Sequence, residues 1–484
     1  MPFDSLQDFA AQLERLGELK RITYRADPYL EITEITDRVV KAKGPALLFE
    51  HPKGSDIPLL TNAFGSERRM SAALGAKSLD EVARRLEELL GHMMRMPKTI
   101  GDKLGLGGAL LGVATTAPPR RVATGPCKEV IERDNPSLDF LPIQTCWPDD
   151  GGPFITLPLV FTRHPVTGKR NIGMYRMQKY DSRTTGMHWQ LHKTGAEHQR
   201  VAREPFPVAV CLGGDPVLTY AATAPLPPDI DELLFAGWIR GKAVELVKCE
   251  TSDLEVPAHS DIVLEGYVDP TERRTEGPFG DHTGYYTLEE PFPVFHLTCV
   301  TRRKQAIYPS TIVGRPPMED AWLGKATERI FLPLLRMVLP EVVDMNLPVE
   351  ACFHNLVIVS IKKKYPGHAY KVMNALWGLG QMMFCKCIVV VDENVNVHDP
   401  GEVLWRVSNN IDAQRDILFT RGPVDHLDHA STHQFFGSKM GIDGTTKWAT
   451  EGYTREWPPD IVMDPEVKQK VDRIWSQLGI NLPR

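Results

Sequence analysis

The 484-residue chain predicts a mixed α/β architecture built from several domains. Three observations carry this. Apolar residues recur with a helical period in some segments and form short unbroken runs in others. Glycine and proline, 38 and 39 residues, punctuate the chain too often for a helical bundle. The length suits about three domains at roughly 150 residues each. Hydrophobic residues make up 42% and charged residues 24%, a globular rather than a disordered balance. Lys+Arg 56 against Asp+Glu 62 leaves a net charge of −6, so no global basic field is present to hold nucleic acid.

The elements follow in order. Ser5 precedes Asp8 at capping-box spacing, and Phe9, Leu13 and Leu16 follow at helical intervals until Gly17. A second helix spans 30–43 with Ile32, Ile35 and Val39 inward. Ala46–Phe49 and Ile57–Leu60 read as strands, and Ser78 with Glu81 opens a helix through Leu90. Residues 101–126 are rich in Gly, Ala, Thr and Pro and read as a linker, and GxxxxGK[ST] is missing, so a phosphate loop is not expected. From 127 to 310 short strands dominate: 155–161, 207–212, 244–248, 262–264 and 295–300, the spacing of a barrel or sandwich. After Gly314-Arg315-Pro316-Pro317 come a helix over 320–338, a strand over 356–361, a helix over 369–384, a strand over 388–391 and a helix over 400–416. The near-continuous apolar strands predict a covered parallel sheet. A polar tail ends in a helix near 465–478. The expected division is 1–115, 120–318 and 319–484.

No apolar window reaches the length of a membrane-spanning helix. The start of the chain has neither a basic nor a long apolar stretch, so no secretory leader is expected. The eight cysteines are scattered without a CxxC pair, which reads as reduced thiols of a cytoplasmic protein.

Five stretches could carry chemistry. Glu276 and Asp281 bracket Gly-Pro-Phe-Gly. A straight strand would point them to opposite faces, but Gly277, Pro278 and Gly280 bend the chain and could bring both to one cavity. Carboxylates sharing a site push their pKa values apart, leaving one as an acid near neutral pH. The plain alternative is a turn with solvated acids. Asn171 and Arg176 offer an oxygen ligand and a forked donor, and their parity requires a bulge or strand end if they serve one site. His188 and His192 have zincin spacing, but Trp189 stands where the Glu of HExxH belongs. One ligating His in a mixed Asn/His/Glu set would suit Mn²⁺ or Mg²⁺. Glu232 could complete such a set or, with Asp229, simply cap a helix. Lys371 enters a helix after a strand, where a lysine beside free N–H groups can hold phosphate.

Taken together, the chain resembles the UbiD family of prenylated-FMN-dependent decarboxylases. The resemblance rests on LEITEITDR at 30–38, TCWPDD at 145–150, NIGMYR at 171–176, EGPFGDHTGYY at 276–286, GRPP at 314–317, KKKYPGHAYKVM at 362–373 and GSKMGIDGTTKW at 437–448. It implies an N-terminal α/β domain, a central split-barrel-like flavin-binding domain and a C-terminal α/β domain that mediates oligomerisation. It implies Asn171, His192 and Glu232 as ligands of Mn²⁺ (or Mg²⁺), with K⁺ as a further ion the family accommodates. Met174, Tyr175, Arg176, His188, Trp189, Gln190, Lys193 and Thr194 would contact prenylated FMN, and Lys371 a phosphate. Arg176, Glu276 and Asp281 would form the catalytic triad, Asp281 as proton donor.

The activity implied is decarboxylation of a prenylated 4-hydroxybenzoate-type acid in ubiquinone or menaquinone biosynthesis. A naphthoate decarboxylase, a phenol carboxylase or a non-catalytic flavin-binding subunit are the alternatives. The partners implied are the aromatic acid, a flavin prenyltransferase that supplies the cofactor, and further copies of the chain as a dimer or hexamer. A polyprenylated acid resides in a bilayer, so peripheral membrane contact is an expectation, although no basic amphipathic helix marks where.

Overall fold

The computed structural model describes residues 3–94, 112–190, 193–227 and 230–480. It is mixed α/β, as the sequence predicts. Three larger sheets organise it. The first joins Leu19–Ile22, Ala46–Phe49, Leu59–Thr61 and, from far along the chain, Tyr308–Pro309. Helices Leu6–Arg15 and Glu31–Lys41 accompany it, the first capped by Ser5, whose Oγ accepts from the Asp8 N–H at 3.0 Å. A cap of this kind is worth about 1 kcal/mol.

The central sheet runs Thr184–Gly186, Glu290–Arg302, Ile262–Glu276, Phe206–Leu212, Leu159–Arg163, Arg170–Met174, with Val130–Glu132 added on Glu290–Arg302. All its pairings are antiparallel. Both faces are buried. Leu159, Phe161, Ala209, Cys211 and Val263 enter one core, while Val160, Val208, Val210, Leu212, Ile262 and Leu264 enter the other. The period of two thus explains why these strands are apolar at nearly every position. The expected run over 155–161 divides into Phe154–Ile155 and Leu159–Arg163, since Pro158 between them has no N–H for a ladder.

The third sheet has the order Val342–Asn346, Leu356–Ile361, Cys387–Asp392, Phe436–Asp443, Ile417–Pro423. Only its centre is parallel, and both edge strands are antiparallel. Val357, Val359, Ile388 and Val390 face helix His368–Trp377 through Val372, Met373 and Leu376. Ile358, Val389 and Val391 face Val403 of helix Pro400–Asn410. Two helices are shorter than expected. The first stops at Trp377, before Gly378, and is followed by a 3₁₀ turn over Gly380–Phe384. The second stops at Asn410. The edge strands 342–346 and 417–423 and the inner strand 436–443 are not foreseen in the sequence, because glycines and polar residues break up their patterns. Of the expected linker, 101–111 lie outside the described residues, while 112–116 are helical and Arg120–Arg121 pairs with Glu245–Lys248. All eight cysteines are free thiols.

Helix Asp320–Val338 links the layers, packing on helix Leu79–Met94 and strand Val342–Asn346. Glu319, 2% exposed, ties its start down. It accepts from the Asn62 N–H at 3.1 Å, the Phe64 N–H at 2.7 Å and the Thr311 hydroxyl at 2.7 Å.

The long strand Ile262–Glu276 reaches the site only because its register against Glu290–Arg302 shifts at Glu265/Gly266 and again beyond Val268. A Cβ on Gly266 would lie 2.0 Å from the His296 carbonyl oxygen. Gly266→Ala is therefore expected to lower stability by about 1–3 kcal/mol, measured as a lower denaturant midpoint with an unchanged slope.

Candidate active site

Strand Arg170–Met174 ends just before Tyr175 and Arg176. The strand end that parity demanded is therefore present, and Arg176 escapes the alternation that governs Asn171. Glu276 terminates Ile262–Glu276, and the chain then turns at Gly277, whose φ is 98°. That left-handed conformation favours glycine. The bend brings Phe279, Gly280 and Asp281 back beside Glu276. Asp150 fastens the bend: its carboxylate accepts from the Gly280 N–H at 2.8 Å and from the Cys146 and Trp147 N–H groups at 3.0 and 2.9 Å. Gln178 accepts from the Gly277 N–H at 2.8 Å.

The two carboxylates meet on one guanidinium. Arg176 Nε donates to Glu276 Oε1 at 3.0 Å and Nη1 donates to Asp281 Oδ2 at 2.5 Å, while its plane lies 4.5 Å from the Phe279 ring centre. The side chains of Arg176, Glu276 and Asp281 are 11%, 0% and 8% exposed. His188 Nδ1 donates to Glu276 Oε1 at 2.7 Å, and its Nε2 faces the Gln190 amide at 3.4 Å. The second contact makes Nε2 the acceptor and leaves the ring proton on Nδ1. Burial, with Arg176 nearby, holds the His188 pKa below the usual value.

One expectation is corrected here. The two carboxylates do not split into an acid and a base. Burial pushes both upward, but Arg176 and His188 outweigh it at Glu276, and His282 and Arg176 outweigh it at Asp281, so both pKa values lie below the usual carboxylate range. Each anion has a cation or donor of its own, so the repulsion between them is not what governs their charge.

A second cluster surrounds Glu232. The cap of helix Glu232–Arg240 is Asp231, whose carboxylate accepts from the Leu233 and Leu234 N–H groups at 2.8 and 3.3 Å. The expected cap Asp229 lies outside the described residues. Glu232 is thereby released from a capping role. Burial pushes its carboxyl up to about 7, against hydrogen bonds from its own N–H and that of Ile172. Arg170, the nearby cation, is taken by Asp231 at 2.9 Å. Asn171, 6% exposed, directs its amide to the Tyr175 hydroxyl at 3.4 Å, and the charge of Glu232 reaches that same hydroxyl. Asn171 and Glu232 thus share one place.

His192 lies outside the described residues, and among the described residues no group of three His, Cys, Asp or Glu side chains gathers as a metal site. The donors that do gather, an amide oxygen and a carboxylate starved of a counter-charge, fit a hard divalent cation. Trp189 is 5% exposed, stacked on Phe206, and its Nε1 is buried without a protein partner. Lys193 and Thr194 open helix Thr194–Val201. Lys193 is exposed at the helix start, and desolvation still lowers its pKa against the pull of Asp425. An indole N–H and an ammonium without close counter-charges fit a phosphate-bearing cofactor. Met174, half-buried, lies at the end of its strand. Lys371 is not brought to this cluster, since its ammonium pairs with Glu341.

Residues missed in the sequence complete the picture: Asp150, Gln178, and the pair His282 and His354. Asp150 and His282 both stood in quoted motifs, but a lone Asp or His in a turn-rich stretch carries no signal of its partners.

Comparison with known proteins decides the family. Three consecutive family models match, described as the 3-octaprenyl-4-hydroxybenzoate carboxy-lyase N-terminal domain (residues 10–89), Rift-related domain (residues 120–316) and C-terminal domain (residues 321–444). The chain belongs to the UbiD family. An Archaeoglobus fulgidus relative, named only as an uncharacterized protein, is 53% identical over 99% of both chains. Among solved structures, the UbiD-class enzyme HmfF from Pelotomaculum thermopropionicum, in complex with FMN, is 30% identical with a TM-score of 0.80, covering 96% of this chain and 98% of that one. An evolved dimeric form of HmfF was solved with prFMN. Vanillic acid decarboxylase from Sedimentibacter hydroxybenzoicus is 26% identical over 99% of both chains, with a TM-score of 0.86 to its closed form and 0.80 to an open form. The UbiD chain described here is thus an enzyme of the carboxy-lyase class, and its UbiD neighbours bind FMN or prenylated FMN.

The ion triad predicts its own pH dependence. Both carboxyls sit below their ordinary values of 4.5 and 3.8. Their stabilisation is therefore complete above those values and is lost as pH falls through the lower native ones. Arg176→Gln leaves Glu276 without its cation and Asp281 with His282 alone, and is expected to cost about 3–5 kcal/mol at pH 7. The deficit should shrink as pH falls toward 4, when the carboxyls take up protons. Denaturant unfolding of both proteins at the two pH values measures this.

Proposed function

We propose that this chain decarboxylates a prenylated 4-hydroxybenzoate-type aromatic acid without oxidation, as a step of quinone biosynthesis, using prenylated FMN and Mn²⁺ (or Mg²⁺). The observation that carries the proposal is the buried fork of Arg176 on Glu276 and Asp281. The family's description, a carboxy-lyase of a prenylated hydroxybenzoate, supports the substrate class. The division at 1–115, 120–318 and 319–484 and a flavin prenyltransferase as cofactor supplier belong to the same reading.

Loss of CO₂ leaves an electron pair on a ring carbon, which side chains stabilise poorly. Prenylated FMN, when bound, supplies the electron sink. Asn171, His192 and Glu232 would hold the divalent ion, which would neutralise the cofactor phosphate. Met174, Tyr175, Trp189, Lys193 and Thr194 would line the cofactor's place, with Gln190 and His188 behind them. Arg176 faces the incoming carboxylate with a guanidinium already shared by two anions. A third anion weakens its hold on Asp281 and draws that residue toward its protonated form. Asp281 then delivers a proton to the ring carbon, while Glu276, fixed by His188, keeps the guanidinium in place.

Two outcomes test this. Asp281→Asn should keep its flavin absorbance and lose turnover by about 10²–10⁴-fold. Unchanged turnover of 4-hydroxybenzoate-type acids, followed by mass spectrometry as loss of CO₂, would remove Asp281 from the reaction. Glu232→Gln should lose bound manganese by metal analysis and retain less flavin. It has a second readout in the metal-free chain. A carboxyl raised from 4.5 to about 7 in the fold makes the protein lose stability as pH rises through that window, because the folded state binds the proton more tightly. Glu232→Gln should flatten this slope, and Mn²⁺ should stabilise the unaltered chain at pH 7 but not the variant.

A further inference from the structure

Decarboxylation of a carboxylate consumes one proton per turnover: ArCOO⁻ + H⁺ gives ArH + CO₂. Asp281 must therefore receive a proton before it can deliver one, yet its surroundings keep it ionised. The structure places a source against it. His282 Nδ1 lies 2.8 Å from Asp281 Oδ1, the oxygen that also accepts the His282 backbone N–H at 2.7 Å. On its far side, His282 Nε2 lies 2.9 Å from His354 Nε2. Two ring nitrogens at that separation share one proton, so one ring donates and the other accepts. Since Nδ1 faces an anion, it carries a proton whichever ring donates at Nε2, and the ring is an imidazolium when His282 is that donor.

We infer that His282, held as an imidazolium between Asp281 and His354, is the proton reservoir from which Asp281 is charged before it protonates the product carbon. The inference rests on the decarboxylase reading above. With His282 as the cation, His354 accepts the Nε2 proton and carries its own on Nδ1, which is buried without a protein partner. The proton that moves is therefore the one on Nδ1. It passes to Asp281 Oδ1, His282 becomes neutral, and Asp281 passes the same proton to the ring carbon. His282 regains a proton from solvent before the next turnover, as the net equation requires. His282 acts through Asp281 and is a positioning residue in that sense.

The groups that face the pair favour this charge state. Burial works against a charge on His282, but the Asp281 hydrogen bond prevails, with Asp320 and Asp425 adding to it, and its pKa rises to about 9. Burial and then the charge on His282 hold His354 down at about 4, although Asp425, Asp281 and Asp428 pull upward. Asp320, at the start of helix Asp320–Val338, is itself raised by burial to about 6. His354 is set in place by two residues in the left-handed region, Cys352 at φ 56° and Phe353 at φ 45°. Such positions are strained for residues with a Cβ and persist only where the surroundings hold them. Phe353 stacks on the His282 ring with centroids 5.3 Å apart and rests on Gly324.

The test has two arms on the full chain. In the first, ¹⁵N NMR of histidine-labelled, cofactor-free protein reads the ring state of His282, assigned by loss in His282→Gln. The expected signal is an imidazolium at pH 7.5 that titrates near pH 9. His354→Phe, which removes the acceptor, should shift that titration down by about one pH unit. A neutral His282 ring at pH 7.5 overturns the inference. In the second arm, enzyme loaded with prenylated FMN and Mn²⁺ is assayed on 4-hydroxybenzoate and its 3-prenylated analogue. Turnover of the unaltered enzyme should fall as pH rises through about 9. His282→Gln, whose amide can still bond Asp281, should lose about 10²-fold in kcat with KM within twofold, and should lack the alkaline limb. Full kcat and an unchanged limb in this variant overturn the inference, because a purely structural hydrogen bond would be kept by Gln. Should the unaltered enzyme release no CO₂ from either acid, the decarboxylase reading falls, and the NMR arm still decides the charge state of His282.

Discussion

The guanidinium of Arg176 is the constraint on which the site depends. Placing two carboxylates in a pocket where neither side chain is more than 8% exposed is expensive unless each is matched by a charge and by hydrogen bonds. Arg176 matches both at once through a planar fork that a lysine cannot imitate. With His282 as a second cation the cluster holds two positive and two negative groups. It can therefore remain dry and charged without a counter-ion from outside. The loop 146–150, the turn at Gly277 and the strand end at Met174 all serve to bring these groups to one point.

Glu232 is the contrast that gives this balance meaning. It lies in the same fold and is half-buried, but its neighbouring cation is committed to Asp231. Its carboxyl is accordingly driven up, whereas Glu276 and Asp281 are driven down. Burial acts in the same direction on all three, so the difference lies in their partners. A carboxylate completed within the chain belongs to the proton chemistry. One left incomplete is suited to an ion supplied from without.

Much of this was legible in the sequence. The covered strands at 356–361 and 387–392, the helix at 320–338 and the Ser5 cap each follow from local periodicity or local hydrogen bonding. The nearness of Glu276 and Asp281 could be read from the glycines and proline between them. What could not be read was charge state. The sequence pattern suggested carboxylates that repel, because nothing local announces that Arg176, a hundred residues away in the chain, divides them. His354 was equally invisible: it belongs to an irregular segment whose backbone dihedrals, not its residue types, aim it at His282. Asp231 displaced Asp229 as the cap of Glu232–Arg240 because only the helix start, which local spacing leaves uncertain by a residue or two, distinguishes them.

The position of the C-terminal layer follows from the same reasoning. Residues beyond 350 complete a site whose charged centre lies in the central sheet. His354 meets His282, His426 Nε2 lies 3.4 Å from Glu290, Gln434 donates to Glu290 at 3.2 Å, and the His429 ring lies 4.2 Å from that of Tyr285. These contacts are polar and few, and their loops carry half-buried or exposed side chains rather than a continuous apolar core. An interface of that kind resembles the polar interfaces between domains of one chain. The charge on His282 is set from the central layer by Asp281, with Asp320 and Asp425 adding to it, and His354 from the C-terminal layer fixes only the partner of its Nε2.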